Sequence, residues 1–153
     1  MQRILSYMRK AIEEYNMIEE GDKIAVCLSG GKDSITMLHG FKALQRFYPK
    51  KFEIVAVSIH PGFEFFDTNL LQSICDKIEV PLFIEESHIK EIVFDIRNEK
   101  NPCSLCANLR RGIINKFFHI FPFRSSIHRA SFRHYSYIIL HYKSFSIFFF
   151  CIY

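Results

Sequence analysis

Six consecutive residues, Ser29-Gly30-Gly31-Lys32-Asp33-Ser34, have the side chains and backbone freedom that an anion site needs. They follow an apolar run, Lys23-Ile24-Ala25-Val26-Cys27-Leu28, and precede a helix-period stretch that begins at Ser34. A strand, a glycine-rich turn and a helix N-terminus in that order point backbone N–H groups at a ligand, and the helix dipole favours negative charge there. Gly30 and Gly31 permit positive φ and let a phosphate approach the main chain closely. Lys32 supplies a cation, Ser29 and Ser34 supply hydroxyls, and Asp33 could hold a Mg²⁺ ion or orient the loop. The Walker A spacing Gly-x4-Gly-Lys-Ser/Thr is absent, as is the dinucleotide fingerprint Gly-x-Gly-x-x-Gly. The competing reading is an ordinary Gly-Gly turn with a solvated lysine; the strand–turn–helix context weighs against it.

A second constellation lies about seventy residues further on. Cys103-Ser104-Leu105-Cys106 is followed at once by Ala107-Asn108-Leu109-Arg110-Arg111-Gly112. Two thiols at that spacing can face one metal or one cluster from the start of a helix, whose N-terminus favours the thiolate. Zinc would want a second Cys or His pair, and none stands out in residues 1–116. A redox pair of the thioredoxin kind makes less sense beside a nucleotide loop. An iron–sulfur site needs further ligands from elsewhere in the chain. Two incidental cysteines at a helix start remain the bland alternative. Arg110 and Arg111 add positive potential nearby, or could simply lie on a solvated helical face.

The elements that must position these groups alternate. Ile4, Met8, Ala11, Ile12 and Tyr15 predict an amphipathic helix over 3–17, and Glu19-Glu20-Gly21-Asp22 a turn. Residues 23–28 read as a short buried strand of a parallel sheet. Ile35, Leu38, Phe41, Leu44 and Tyr48 give the next helix a buried stripe. Residues 52–59 form a second buried strand, broken by His60-Pro61-Gly62. Asp67 is an N-cap for a helix carrying Leu70, Leu71, Ile74 and Ile78. Pro81-Leu82-Phe83-Ile84 is a third strand, and residues 88–97 a further helix. This alternation argues an α/β fold, a parallel sheet with right-handed crossovers and helices on both faces. Ligands in such sheets sit at the carboxyl ends of the strands. Ser29–Ser34 lies at one such end. Ser58-Ile59-His60 lies at another, where the base and ribose of a nucleotide could rest.

The 153 residues suffice for one domain with a real core. Residues 1–116 contain all 16 acidic residues and 16 of the 20 Lys and Arg, and are therefore neutral. The amphipathic N-terminus has no apolar signal-peptide core, so a cytoplasmic location and reduced cysteines are expected. Cys27 is expected to pack in its strand and Cys75 in a helical core; His39 and His88 lack metal-ligand spacing.

Within its strand–turn–helix setting, SGGKDS resembles the PP-loop of ATP pyrophosphatases, which split ATP into AMP and pyrophosphate and use the AMP to activate an oxygen. Joined to Pro102-Cys103-Ser104-Leu105-Cys106 and Leu109-Arg110-Arg111-Gly112, the loop is similar to that of the TtcA family, the tRNA 2-thiocytidine synthetases, over roughly residues 1–116. The resemblance implies a Rossmann-like PP-loop ATPase domain of the adenine-nucleotide α-hydrolase type. It implies ATP and Mg²⁺ at Ser29, Gly30, Gly31, Lys32, Asp33, Ser34 and Ser58, with Lys32 and Asp33 catalytic. It also implies a 4Fe–4S cluster on Cys103, Cys106 and a third cysteine, and tRNA at Arg110 and Arg111. The expected partners are tRNA, a sulfur donor (a cysteine desulfurase or sulfide) and a second copy of the chain, with no membrane. In that family the C2 oxygen of an anticodon-loop cytidine is adenylated, and sulfur then displaces AMP. Other PP-loop enzymes act on other substrates, but the cysteine pair disfavours most of them.

The family's chain continues with a core strand, a Gly-His-His-x-Asp-Asp motif and a third cluster cysteine, and this sequence departs from it there. Residues 117–153 instead contain nine Phe, four Tyr and four His, with no Gly, Asp or Glu. No helical or strand period is sustained across them. The expected division is therefore a PP-loop domain over 1–116, truncated after its third strand and cysteine-bearing helix, and an aberrant tail over 117–153, frameshifted or disordered. The unbroken apolar end, Ile147–Tyr153, is far short of the ~20 residues of a membrane span. An aromatic-basic RNA surface lacks any recognisable module, and nothing positions Cys151 as a third ligand. Whether such a chain is an active enzyme, or a catalytically incomplete ATP- or metal-binding fragment, stays open at the level of sequence.

Overall fold

A computed structural model describes the backbone of residues 2–98, 100, 102–120, 126–132, 135–142 and 145–150, and the side chains among these through residue 116. The elements run α1 (Gln2–Glu14), β1 (Asp22–Leu28), α2 (Lys32–Leu44), β2 (Phe52–His60), α3 (Thr68–Lys77), β3 (Leu82–Glu86), a π-helical segment (Glu91–Ile96) and α4 (Pro102–Ile120). Three backbone strands follow, β4 (Ser126–Phe132), β5 (Tyr135–Tyr142) and β6 (Phe145–Phe150).

β1 pairs in parallel with β2, and β2 with β3, so the predicted β-α-β-α-β alternation is a parallel sheet. Beyond β1 the sheet continues through β6, parallel to it, and then antiparallel β5 and β4, in the order β3-β2-β1-β6-β5-β4. β5 and β6 are rich in aromatic and β-branched residues, which suits a pleated backbone even where no period is sustained. Cys151 and the side chains of 117–153 lie outside the described residues, as does any contact of Arg124, Arg129, Arg133 or Lys143.

Alternation along β1 and β2 feeds two cores, one per sheet face. Ile24, Val26, Leu28, Ile54 and Ala56 face α1, α2 and α3, where Ile12, Leu38, Phe41, Leu44, Leu71 and Cys75 close over them. Ala25, Val57 and Ile59 face the other way, against Ile89, Val93 and Ile114. Helical cover on both faces is what sheets of buried parallel strands require. Gly40 brings α1 close to α2, since a methyl there would sit 2.5 Å from Met8 Sδ.

The expected boundaries shift in instructive ways. α1 ends at Glu14, and the chain then turns inward so that Met17 and Ile18 are buried, whereas Ile4 and Tyr15 of the expected face are exposed. In α3 the expected Leu70 is exposed while Leu71 and Cys75 are buried. Asp67 caps that helix as predicted, its Oδ1 accepting from Leu70 N–H at 3.0 Å. Asp67→Ala should therefore cost about 1 kcal/mol, read as a drop of a few degrees in thermal midpoint.

Candidate functional site

β1 runs out at Leu28, and the chain crosses to α2 in three residues. Gly30 takes φ 82°, a left-handed value that a side chain resists. Gly31 is the N-cap of α2, extended at φ −79° and ψ 155°, with no side chain capping the helix. The first amides of α2 are thus left for something other than a capping side chain, which is the arrangement an anion would use. Lys32 is exposed at the first position of the helix, with Asp33 beside it in the first turn.

The hydroxyls divide their work differently from the simplest expectation. Ser34 is only 1 % exposed. Its Oγ donates to Gly31 C=O at 2.9 Å and accepts from Ser29 N–H and Ser29 Oγ, each at 3.3 Å. One donor and two lone pairs exhaust a hydroxyl, so what Ser34 contributes is the shape of the loop. Ser58, also buried, lies opposite Leu28 in the parallel register and donates its Oγ to Leu28 C=O at 3.0 Å. It thereby holds the last carbonyl of β1 at the root of the loop. Ser29, Gly30, Gly31, Lys32 and Asp33 form the solvent-facing rim.

One residue beside the loop, Phe66, was not singled out by spacing. The Phe66 ring lies 3.9 Å from where a Cβ on Gly30 would stand. It packs edge-on against His60 at the end of β2, centroids 5.4 Å apart. The run Phe63-Glu64-Phe65-Phe66 was the available signal.

The cysteine pair opens α4. Pro102 occupies the first helical position, where its missing N–H costs nothing. Cys103 and Cys106 are one turn apart and so lie on neighbouring parts of one face. Cys103 is exposed and Cys106 half-buried; Leu105, Cys106, Leu109 and Ile113 pack on the second core. This is a fit to two of the three cysteines expected for a cluster, two soft sulfurs at a helix N-terminus. Among the described residues no group of three metal-capable side chains occurs. Arg110 and Arg111 are exposed on the same helix; Arg111 donates to Asn108 Oδ1 at 2.6 Å and to Ala107 C=O at 3.3 Å.

Of the four described thiols, Cys103 is exposed, Cys27 and Cys106 are half-buried and Cys75 is buried. Burial pushes the Cys27 thiol up to about 12 and raises that of Cys75. Only a thiolate attacks an alkylating agent. Alkylation of the native chain at mildly alkaline pH, mapped by peptide mass, should mark Cys103 first and spare Cys27 and Cys75 until the chain is unfolded. Labelling of Cys27 at the rate of Cys103 would contradict this packing.

Comparison with known proteins agrees with this geometry. The model of the PP-loop domain matches residues 3–101. The chain is 42 % identical over 113 residues to a tRNA-cytidine(32) 2-sulfurtransferase of Bordetella avium, covering 73 % of this chain and 36 % of that protein. It is 45 % identical over 116 residues to the enzyme of that name from Shewanella baltica, covering 75 % and 37 %. The chain thus spans about a third of the length of these curated relatives. Among solved structures it is similar to the U34-tRNA thiolase NcsA from Methanococcus maripaludis with its 4Fe-4S cluster (TM-score 0.56, 24 % identity, 69 % of this chain and 36 % of that one). It is also similar to the NH3-dependent NAD synthetase from Campylobacter jejuni (TM-score 0.51, 19 % identity, 78 % and 52 %). With strand, loop and helix N-terminus in place and a family model matching residues 3–101, the chain belongs to the PP-loop domain family.

Proposed function

We propose that this chain carries the nucleotide-activating part of a tRNA sulfurtransferase, taking ATP at Ser29–Ser34 and acting on a tRNA cytidine. The observation that supports this best is the uncapped, amide-lined start of α2 behind Gly30 and Gly31, with Lys32 and Asp33 at its mouth. The named relatives add the substrate class. In the proposed reaction the C2 oxygen of the cytidine attacks the α-phosphorus of ATP, and the bond to the bridging oxygen breaks to release pyrophosphate. A sulfur nucleophile then displaces AMP from carbon. Lys32 and the loop amides would stabilise charge growing on the phosphates, and Asp33 would hold Mg²⁺. Cys103 and Cys106 would supply two of the ligands of a 4Fe–4S cluster, which when bound offers an open iron for sulfide. Arg110 and Arg111 would meet tRNA phosphates. A sulfur donor, a second copy of the chain and a cytoplasmic location belong to the same proposal; among the described residues no helix is long and apolar enough to cross a membrane.

A second reading has its own support. The chain spans about a third of its curated relatives, and among the described residues no group of three metal-capable side chains occurs. On that reading it binds ATP or metal without turnover. We place the boundary of the functional unit near Lys116 on composition, and hypothesise that the codons beyond it are out of frame. Failure of the other two reading frames to encode a Gly-His-His-x-Asp-Asp segment would reject that.

Incubation of the chain with ATP, Mg²⁺, tRNA and sulfide decides between the two. Release of pyrophosphate together with thiolated cytidine in the digested tRNA supports the enzyme. Bound ATP with no pyrophosphate supports the fragment. Cys103→Ala should keep ATP binding and lose visible absorbance after anaerobic reconstitution; retained absorbance would refute its ligand role.

A further inference from the structure

The connection after β2 places an open aromatic surface between the two halves of the site. Phe63 and Phe65 are stacked, centroids 4.9 Å apart and planes 24° from parallel. Phe94, on the π-helical segment, meets Phe63 edge-on at 5.8 Å. Phe65 is 81 % exposed and Phe94 44 %, with Ile96 at 68 % beside them. Large apolar side chains gathered on a surface in this way mark a binding face more often than isolated ones do.

The backbone beneath this surface is held firmly. Ser87 N–H and Ser87 Oγ both donate to His60 C=O, at 3.0 and 2.8 Å, and Lys90 N–H donates to Pro61 C=O at 2.9 Å. Gly62, at φ 89°, closes the turn with its N–H on His60 Nδ1. The strand end that leads to Phe63 and the segment that leads to Phe94 are thereby tied together, so the rings have a fixed common base. On one side Phe66 connects this base to Gly30 of the anion loop. On the other, the π-helical segment packs on α4, whose described side chains include Arg110, Arg111 and Lys116 and no acid.

We propose that Phe63, Phe65 and Phe94 form a stacking shelf for an unpaired nucleobase of the RNA, with the flanking phosphates directed to α4. The proposal rests on the reading that the substrate is RNA. Charge assigns the occupant. Glu64, Glu91 and Asp95 on the segments that carry the three rings are offset by Lys90 and Arg97 at the two ends of the π-helical segment, so the shelf has little net charge and suits the uncharged face of a base; the adjoining helix is basic. Aromatic rings hold any base by its π face, so the shelf gives affinity for single-stranded RNA and little sequence choice.

The test uses the whole chain and two RNAs, a hairpin with 2-aminopurine in its loop and a fully paired duplex of equal length. Wild type should quench the loop fluorophore on binding. Phe65→Ala should weaken hairpin binding roughly tenfold, as loss of one stacking ring does, abolish the quench and leave duplex binding unchanged. Phe65→Tyr should restore both. Because Phe65 is largely exposed the variant should fold, and its thermal transition checks this; Phe94→Ala serves in its place if not. Unchanged affinity and quench in Phe65→Ala, with hairpin binding intact, overturn the shelf and leave the RNA reading standing. Wild type that binds neither RNA overturns both. A concentration-dependent dimer that Phe65→Ala dissolves, with hairpin affinity unchanged, reassigns the surface to a second copy and overturns the shelf.

Discussion

Lys32→Ala is expected to lower ATP turnover by roughly a hundredfold or more while leaving the folded state intact. A single donor aimed at charge that develops in a transition state is worth about 10²–10³ in rate, and Lys32 brings a full positive charge to the mouth of the loop. The side chain is exposed, so its removal opens no cavity. The bond that Thr36 Oγ1 donates to the Lys32 carbonyl, at 2.7 Å, uses only the backbone of Lys32 and survives the substitution. The thermal transition should shift by less than about 0.5 kcal/mol equivalent, as at other exposed positions. Lys32→Arg should recover only part of the rate, since a broad planar guanidinium does not replace a compact ammonium. Pyrophosphate release measured against ATP concentration checks this; turnover equal to wild type would remove Lys32 from the site.

Phe41→Ala should have the opposite signature. Phe41 is 1 % exposed and lies in the core that joins α2 to β1 and β2. Truncating such a phenyl costs about 3–5 kcal/mol through lost burial and the cavity left behind, against a total stability of about 5–15 kcal/mol. The denaturant midpoint should fall sharply with little change in slope. ATP binding should weaken as well, because α2 is the helix whose first turn forms the proposed anion site. Measured together, the two variants separate chemistry from scaffold: one loses rate with stability kept, the other loses stability and drags binding down with it.

The scaffold was legible in the sequence wherever burial imposes a period. Leu38, Phe41, Leu44 and Tyr48 are buried as their spacing predicts, with Ile35 of the same stripe only half-buried, and the apolar run before the loop is β1 almost residue for residue. The reading failed where neighbours decide. Leu70 and Leu71 are chemically alike, and only the rotation of α3 on the sheet chooses between them. Phe83 and Ile84 of β3 stay exposed because β3 is the edge of the sheet, which no local pattern announces. Residues 88–97 were expected to be helical and are so over 89–96; only the wider π turn over Glu91–Ile96, which follows no 3.6-residue rule, was not foreseen. At the site, residue types located the loop, whereas the use of each hydroxyl depended on what the fold brought within reach. Ser58 meets Leu28 only because β1 and β2 pair in that register. Phe63 and Phe94 meet only across the turn that binds Pro61 to Lys90.

The closed circle of bonds among Ser29, Gly31 and Ser34 also has a kinetic meaning. A loop that satisfies its own hydroxyls before any ligand arrives has already given up its conformational freedom during folding. Nucleotide association then needs no ordering step, and the encounter rate should follow charge and salt more than rearrangement. The same circle makes affinity hostage to a residue that meets no phosphate. In Ser34→Ala the loop would sample many shapes, and each added shape dilutes the one that binds. Its nucleotide should dissociate faster and bind more weakly, although every group at the rim is still present.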